Sequence, residues 1–294
     1  MHGSPSTRRT RRGLAALIAA GAALTVCGAA PPASASTGSD TVGGAEVVCT
    51  SDRPDLALTL SHDLAGALQG RQGTSAVALY DRTSGTSCTL QADTHFDSAS
   101  VVKVAVLGAL LRQTEEAHRA LTAHEVALTT AMITKSDNAS TDALWHQVRR
   151  SGVQHFLDLA GMRNTVPGPG GAWGLTQITA ADQLTLMRLL ASDNDALDPT
   201  SRAYALDLMR RVVPEQRWGV PAGAPASATA YLKNGWLPRA DQGWRVHSVG
   251  SFTDSGNDYS MAVLSSGSDT MDHGVATVEA AAKVIHRDLA AGGR

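Results

Sequence analysis

Ser100 and Lys103 are spaced so that both can lie on one face of a helix, as a nucleophile and its base would. From Val101 to Leu111 every residue except Lys103 is apolar or glycine. A helix that is apolar on every side is buried, and this run falls short of the ~20 residues that cross a bilayer. Burial lowers the pKa of a lysine, which makes its amine a base for a serine proton. The alternative is an N-cap at Asp97 or Ser98 followed by a lysine that reaches solvent.

Two further short motifs carry groups suited to the same chemistry. Ser136-Asp137-Asn138 follows a helix that we predict over Leu121–Lys135. Lys233-Asn234-Gly235 ends a predicted strand. If the fold brings the three motifs together, the first motif gains further polar groups. These are the hydroxyl of Ser136, the amides of Asn138 and Asn234, and the amine of Lys233.

The hydrophobic pattern predicts two groups of strands with a block of helices between them and a helix at each end. The predicted helices are Pro54–Gln69, the Ser100 helix, Leu121–Lys135 (with Thr122 and Glu125 in capping-box spacing), Thr141–Arg150, Val153–Ala160, Thr179–Leu190, Thr200–Met209 and Val275–Leu289. The predicted strands are Thr74–Tyr80, Ser87–Ala92, Tyr231–Lys233, Arg245–Phe252 and Tyr259–Ser265.

This order predicts an α+β fold in which a five-stranded antiparallel sheet is flanked by the terminal helices. Residues 51–98 and 225–294 would form the α/β lobe of a domain spanning residues 51–294, and residues 99–224 would form an all-α lobe. Ligand sites tend to lie where two such lobes meet, and Ser100 stands at the first crossing between them.

Residues 1–35 have the pattern of a secretory signal peptide. Four arginines within Arg8–Arg12 precede the apolar run Leu14–Val26, and Ala33-Ser34-Ala35 offers a cleavage site. The stretch Thr10–Leu14 is typical of twin-arginine export, with Sec export as the alternative. We expect a secreted, extracytoplasmic protein that inserts in no membrane after cleavage and whose residues 36–50 are a mobile start.

Composition argues against nucleic acid as a partner. Cleavage after residue 35 would remove four of the 25 basic residues and none of the 27 acidic ones, which leaves a net charge of −6. Nucleic-acid binding needs a basic patch, and the mature sequence contains none that compensates for this balance. The ten histidines lack metal-site spacing, so we expect no metal or other cofactor, and we expect a monomer.

Three cysteines are present, and two of them lie in the expected mature chain. Cys27 lies in the predicted leader, where Val26 is larger than lipoprotein signals usually allow. Cys49 and Cys88 are a candidate disulfide in an oxidising compartment, and two buried free thiols are the alternative.

Taken in order, Ser-x-x-Lys, Ser-Asp-Asn and Lys-Asn-Gly resemble the three signatures of the class A β-lactamase-like, penicillin-recognising serine hydrolases. The third signature is usually Lys-Thr-Gly. The resemblance extends over most of the mature chain, since the strands before Ser100, the helix before Ser136 and the C-terminal strands and helix follow the family plan.

The resemblance implies four catalytic residues. Ser100 would be the acylated nucleophile and Lys103 its proton acceptor. Ser136 would relay a proton to the leaving nitrogen with the help of Lys233, whose charge would also attract a substrate carboxylate. Such enzymes form an acyl-enzyme with β-lactams or related acyl-D-Ala peptides.

The resemblance also implies a substrate-binding set. Asn138 would hydrogen-bond the acyl-side amide of the substrate, and Asn234, with Gly235 beside it, would meet the substrate carboxylate in place of the usual hydroxyl. The backbone N–H groups of Ser100 and Trp236 would form the oxyanion hole. Asp137 is expected to brace its loop.

One departure from the family pattern bears on turnover. Class A β-lactamases activate the deacylating water with a glutamate, yet no glutamate lies between Glu125 and Glu215, and the loop Thr165–Leu175 is mostly Pro, Gly and Ala. Asp182, the nearest acid downstream, is expected to lie at the surface or cap a helix. We therefore expect acylation without efficient β-lactam turnover.

Three functions remain open at this point. They are a β-lactamase-like serine hydrolase, a D-alanyl-D-alanine carboxypeptidase or transpeptidase, and a penicillin-binding sensor that is acylated without turnover. Fold alone does not separate them.

Overall fold

The computed structural model describes residues 1–3, 35–254 and 256–291. The predicted signal peptide of residues 1–35 lies almost entirely outside the described residues. By internal contacts the chain divides into residues 1–33 and 34–294, and every element below belongs to the second unit. Among the described residues, no helix is both long and apolar enough to cross a membrane.

The described residues form nine strands and seven α-helices. The strands are β1 (Ser36–Val42), β2 (Ala45–Ser51), β3 (Thr74–Asp81), β4 (Thr86–Leu90), β5 (Phe96–Asp97), β6 (Gln177–Ile178), β7 (Thr229–Arg239), β8 (Gly243–Thr253) and β9 (Asp258–Ser268). The helices are α1 (Leu56–Leu68), α2 (Lys103–Glu116), α3 (Ala123–Thr134), α4 (Asn138–Leu159), α5 (Ala180–Ala191), α6 (Pro199–Arg210) and α7 (Met271–Ala291).

The main sheet confirms the predicted α+β class but has seven strands where the sequence predicted five. Their order is β1-β2-β4-β3-β9-β8-β7, and each neighbouring pair is antiparallel. The two additional strands come from residues 36–51, so the prediction of a mobile segment over residues 36–50 is wrong. Gly43 and Gly44, both at positive φ, make the tight turn between these strands.

The disulfide prediction is confirmed, and it joins this hairpin to the rest of the sheet. Cys49 on β2 and Cys88 on β4 are directly opposite each other in the register, and both are fully buried. The free-thiol alternative is therefore excluded by the structure.

Two hydrophobic clusters cover the two faces of the sheet. One includes α1 and α7 side chains such as Leu60, Leu64 and Ile285. The other contains the apolar side chains of α2 together with residues of α3 to α6. Every residue of α2 from Lys103 to Leu111 is buried, as the apolar run predicts. The division into an α/β lobe and an all-α lobe at the predicted boundaries stays a prediction.

Helix ends follow the local sequence closely. Thr122 and Glu125 form the predicted capping box at the start of α3. The α4 helix contains a break at Arg149, whose φ of 64° is not helical, so the two short helices predicted there are the two halves of one kinked element.

Candidate active site

The backbone around Ser100 has an unusual geometry. Ser100 lies in a 3₁₀ turn (Ala99–Val102) that leads into α2, and Ala99 before it has a φ of 45°. A non-glycine residue in this region costs ~1–3 kcal/mol and persists only where the surroundings enforce it. The turn is enforced in part by Ser98, whose N–H donates to Thr176 O at 2.8 Å.

Gly235 shows why the third motif ends in glycine. A Cβ atom at this position would lie 2.8 Å from Ser100 N and 2.9 Å from Val101 N. Strand β7 therefore passes directly against the start of the Ser100 turn, and any side chain would separate the two. The first and third motifs are brought together by this contact.

Ser136 joins the two lysines. Its Oγ accepts from Lys103 Nζ at 3.1 Å and from Lys233 Nζ at 3.0 Å. Ser136 has a φ of 57°, a second left-handed non-glycine residue in the site. An oxygen that accepts from two amines keeps its own proton for a third partner, so Ser136 can pass a proton between these groups and a bound molecule.

Lys103 is fully buried and completely hydrogen-bonded. Its Nζ donates to Ser136 O at 2.7 Å and to Asn138 Oδ1 at 2.8 Å, besides the bond to Ser136 Oγ. Burial lowers the pKa of Lys103 to about 8, against the opposing effect of the nearby carboxylates of Asp137 and Asp142. The described hydrogen bonds of Lys103 do not include Ser100 Oγ.

Lys233 is also fully buried. Its Nζ donates to Asn234 O at 2.8 Å in addition to Ser136 Oγ. Burial, and to a lesser degree the charge of Lys103, lowers its pKa well below the usual lysine value. Two amines with lowered pKa values thus share one hydroxyl, an arrangement suited to proton transfer.

Asp137 and Asn138 lie at the start of α4. Asn138 is the first residue of α4 and lines the same cleft as Ser100. Asp137 caps α4, because its carboxylate accepts from Ser140 N at 2.7 Å. The bonds to Ser140 lower the pKa of Asp137.

The structure does not bring the Asn234 amide to the site. Asn234 Nδ2 donates to Gln216 O at 2.8 Å and to Trp218 O at 2.9 Å, and Oδ1 accepts from Ser248 Oγ at 2.6 Å. Both amide hydrogens are thereby used, and the side chain is buried. Asn234 ties the strand to a neighbouring loop, which differs from the expectation that it meets a substrate carboxylate.

A cleft of about 280 Å³ opens beside Ser100. One side is the short loop of Gly171, Ala172, Trp173 and Gly174, and the opposite side includes Trp236 on β7.

Three residues that support the site were given no catalytic or binding role in the sequence analysis. The Trp173 ring lies 4.8 Å from Lys103 Nζ, and its Nε1 donates to Asp142 Oδ1 at 2.7 Å. Asp142 is one helical turn after Asn138, so its position could have been inferred from the helix period. Buried His247 is neutral, with its pKa lowered by burial to about 4, and it contacts Asp97 O through Nε2 at 2.9 Å.

Asp182 is buried instead of lying at the surface. Its carboxylate accepts from Thr165 Oγ1 at 2.7 Å and from Asn164 N at 2.9 Å, while its own N–H is capped by Thr179. It therefore fixes the start of the short loop. Among the described residues, no group of three or more His, Cys, Asp or Glu side chains could hold a metal ion.

Known proteins show the same family and fold. The model of the beta-lactamase enzyme family (Beta-lactamase2) matches residues 59–126 and 120–289. The protein named "Putative lipoprotein LppW" of Mycobacterium bovis is 25% identical over 184 residues, which are 60% of this chain and 58% of that protein, and the Mycobacterium tuberculosis protein of that name matches equally. The chain thus spans less than two thirds of the curated relatives it matches.

Solved structures match over most of both chains. PBP-A has a TM-score of 0.68 at 20% identity, covering 79% of this chain and 96% of its own. A class A beta-lactamase from Bacteroides cellulosilyticus has a TM-score of 0.69 at 17% identity, covering 79% and 98%. These likenesses establish the fold, and the family model establishes membership. The chain therefore belongs to the beta-lactamase enzyme family and has the β-lactamase/transpeptidase-like fold.

Proposed function

We propose that the protein is an active-site serine hydrolase that forms an acyl-enzyme at Ser100. The observation that carries the proposal is the Ser136 hydroxyl, which lies within 3.1 Å of two buried amines, Lys103 and Lys233. Such a cluster near a half-buried serine on a strained turn provides a base, a proton relay and a nucleophile close together.

The acylation step follows from these positions. A neutral Lys103 amine has two N–H groups and one lone pair, and Ser136 O with Asn138 Oδ1 can accept both N–H groups. The lone pair then takes the Ser100 proton as Oγ attacks the acyl carbon. The developing oxyanion would be stabilised by the N–H groups of Ser100 and Trp236. Ser136 would deliver the proton to the leaving nitrogen, assisted by Lys233.

The substrates we propose are β-lactams or related acyl-D-Ala peptides. A mutant of PBP-A is described as an acyl-enzyme complex with penicillin-G, which supports penicillins as probes for this fold. The missing glutamate between Glu125 and Glu215 favours a second candidate, a D-alanyl-D-alanine peptidase or a penicillin-binding sensor, over an efficient β-lactamase.

We also propose that the protein acts outside the cytoplasm as a monomer. The Cys49–Cys88 disulfide supports an oxidising compartment. The lipoprotein name of the mycobacterial relatives points in the same direction.

Intact-protein mass spectrometry with benzylpenicillin, followed from minutes to hours, tests the proposal. A persistent adduct on Ser100 supports the nucleophile and the peptidase or sensor reading. Ring-opened penicillin without a lasting adduct means β-lactamase turnover. If neither forms, the proposed chemistry is wrong for this substrate class.

A further inference from the structure

Strand β7 carries a row of side chains that leads away from the nucleophile. Residues two apart on a strand share a face, so Lys233, Gly235, Leu237 and Arg239 lie in one row. Gly235 faces the Ser100 turn, and Leu237 lines the cleft. At ~3.3 Å per residue, the Cα atom of Arg239 is ~13 Å beyond that of Gly235.

The far end of this row is positively charged. Arg239 Nε lies 3.3 Å and Arg245 Nε 3.6 Å from the same oxygen, Asp97 Oδ2. The other oxygen, Asp97 Oδ1, accepts from Gln177 Nε2 at 2.8 Å. Two guanidinium groups against one carboxylate leave one positive charge in excess.

Solvent can reach that excess charge at Arg239. Its side chain is 36% exposed, whereas those of Arg245 and Asp97 are each 13% exposed. Arg245 is also bonded to the turn before β8, through Gln242 O at 2.9 Å and Gln242 Oε1 at 2.7 Å. The fixed pair of Arg245 and Asp97 therefore positions Arg239 at the end of the row.

We infer that Arg239 is a specificity-determining residue for acyl donors whose acyl side chain ends in a carboxylate. The inference rests on the proposed acylation of Ser100 and adds a substrate class to it. An acyl group attached to Ser100 would extend along Leu237, and a terminal anion would approach the Arg239 guanidinium.

Three penicillins of matched length test this inference. The 6-aminopenicillanic acid amides of adipic, hexanoic and 6-aminohexanoic acid end in an anionic, a neutral and a cationic group. The second-order rate constant for Ser100 acylation is measured for each by mass spectrometry. We expect the adipoyl compound to react about fivefold faster than the hexanoyl compound, the upper range for a partly exposed charge pair. The aminohexanoyl compound should react more slowly than both.

Arg239→Gln should reduce the adipoyl-to-hexanoyl ratio to about one, and Arg239→Lys should keep it above one. Arg82→Gln is the matched control, because it removes the same charge at the opposite end of the sheet, where Arg82 pairs with Asp258. That variant should keep the full ratio. The wild-type ratio should also shrink in 1 M salt, which screens exposed charges.

The possible results separate the two proposals. Equal adipoyl and hexanoyl rates in the wild type, or a ratio that survives in Arg239→Gln, would overturn the role of Arg239 while leaving acylation of Ser100 intact. Absence of an adduct with all three compounds would overturn the proposed function and, with it, this inference.

Discussion

Two regions near Ser100 differ in composition. In the first, the buried side chains of Lys103 and Lys233 form a polar network with Ser136, with bonds of 3.1 Å or less. The second is the loop around Trp173, which borders the cleft and consists of glycine, alanine and one indole; none of the described residues that line the cleft carries a carboxylate. The polar network can take a proton from a hydroxyl, whereas the loop offers no base for a water molecule. This difference predicts fast acylation and slow hydrolysis.

Ser100→Ala should abolish acylation, because it removes the atom that is acylated. We expect no covalent adduct with benzylpenicillin by intact-protein mass spectrometry. The control is Ser98→Ala, two residues earlier, which should still be labelled. Unchanged labelling of Ser100→Ala would disprove the assignment.

Lys103→Met removes the proposed base from the polar network. Loss of general-base catalysis costs typically 10²–10⁴-fold, so we expect acylation to slow by about 10³-fold. Lys135→Met is the matched control, since Lys135 is exposed beside the Ser136 motif and should have little effect. A less than tenfold effect of Lys103→Met would show that another group is the base.

Acylation should depend on pH through Lys103. Its pKa of about 8 means that the amine is mostly protonated at pH 6 and half neutral at pH 8. Only the neutral form accepts a proton, so the acylation rate constant should rise about fiftyfold between pH 6 and pH 8. A rate constant that is flat or falls over this range, measured by quenched mass spectrometry, would contradict the assignment of Lys103 as the base.

Ala172→Glu adds a carboxylate to the loop that borders the cleft. We expect hydrolysis of the acyl-enzyme to accelerate less than tenfold, because a general base must reach the water within hydrogen-bond distance and this loop has no geometry built to position it. Ala172→Gln controls for the added bulk. An acceleration above a hundredfold would mean that the loop lacks only the carboxylate.

Removing the disulfide should leave the polar network and the loop around Trp173 unchanged. Cys49→Ala with Cys88→Ala opens a link between residues 39 apart in sequence, which the chain-entropy model values at roughly 4 kcal/mol. We expect the Tm to fall by roughly 10 °C in calorimetry, with the acylation rate unchanged at 25 °C. A large loss of acylation in the folded double variant would show that the β1–β2 hairpin contributes to the active site.

The sequence predicted that two lysines and two serines act together, because each of the three motifs stands at the start or the end of a predicted helix or strand. These residues are Ser100, Lys103, Ser136 and Lys233. The sequence did not predict which way Asn234 points, because a strand's two faces cannot be assigned before its neighbours are known. Its amide proved to serve the loop at Trp218. The family's third signature therefore keeps its amine and glycine in place here while its middle residue has a structural use.

The missed hairpin at residues 36–51 has a different cause. Strand β1 consists of small or polar residues up to Val42, so its sequence lacks the hydrophobic alternation that marks a half-buried strand. The Gly43-Gly44 pair was nevertheless a readable turn signal. The predicted Cys49–Cys88 disulfide also indicates that residue 49 lies beside the strand that contains Cys88.

The strand order has a consequence for how the chain acquires its activity. Strand β3, completed by residue 81, pairs with β9, which begins only at residue 258. Pairing over such a separation gives the sheet a high contact order, so folding is slow and local helices form before it. Gly235, which lies against the Ser100 turn, belongs to β7, another strand near the C-terminal end of the chain. During synthesis the nucleophile therefore emerges long before its cleft exists, and the protein becomes chemically competent only after nearly its whole length has been translated.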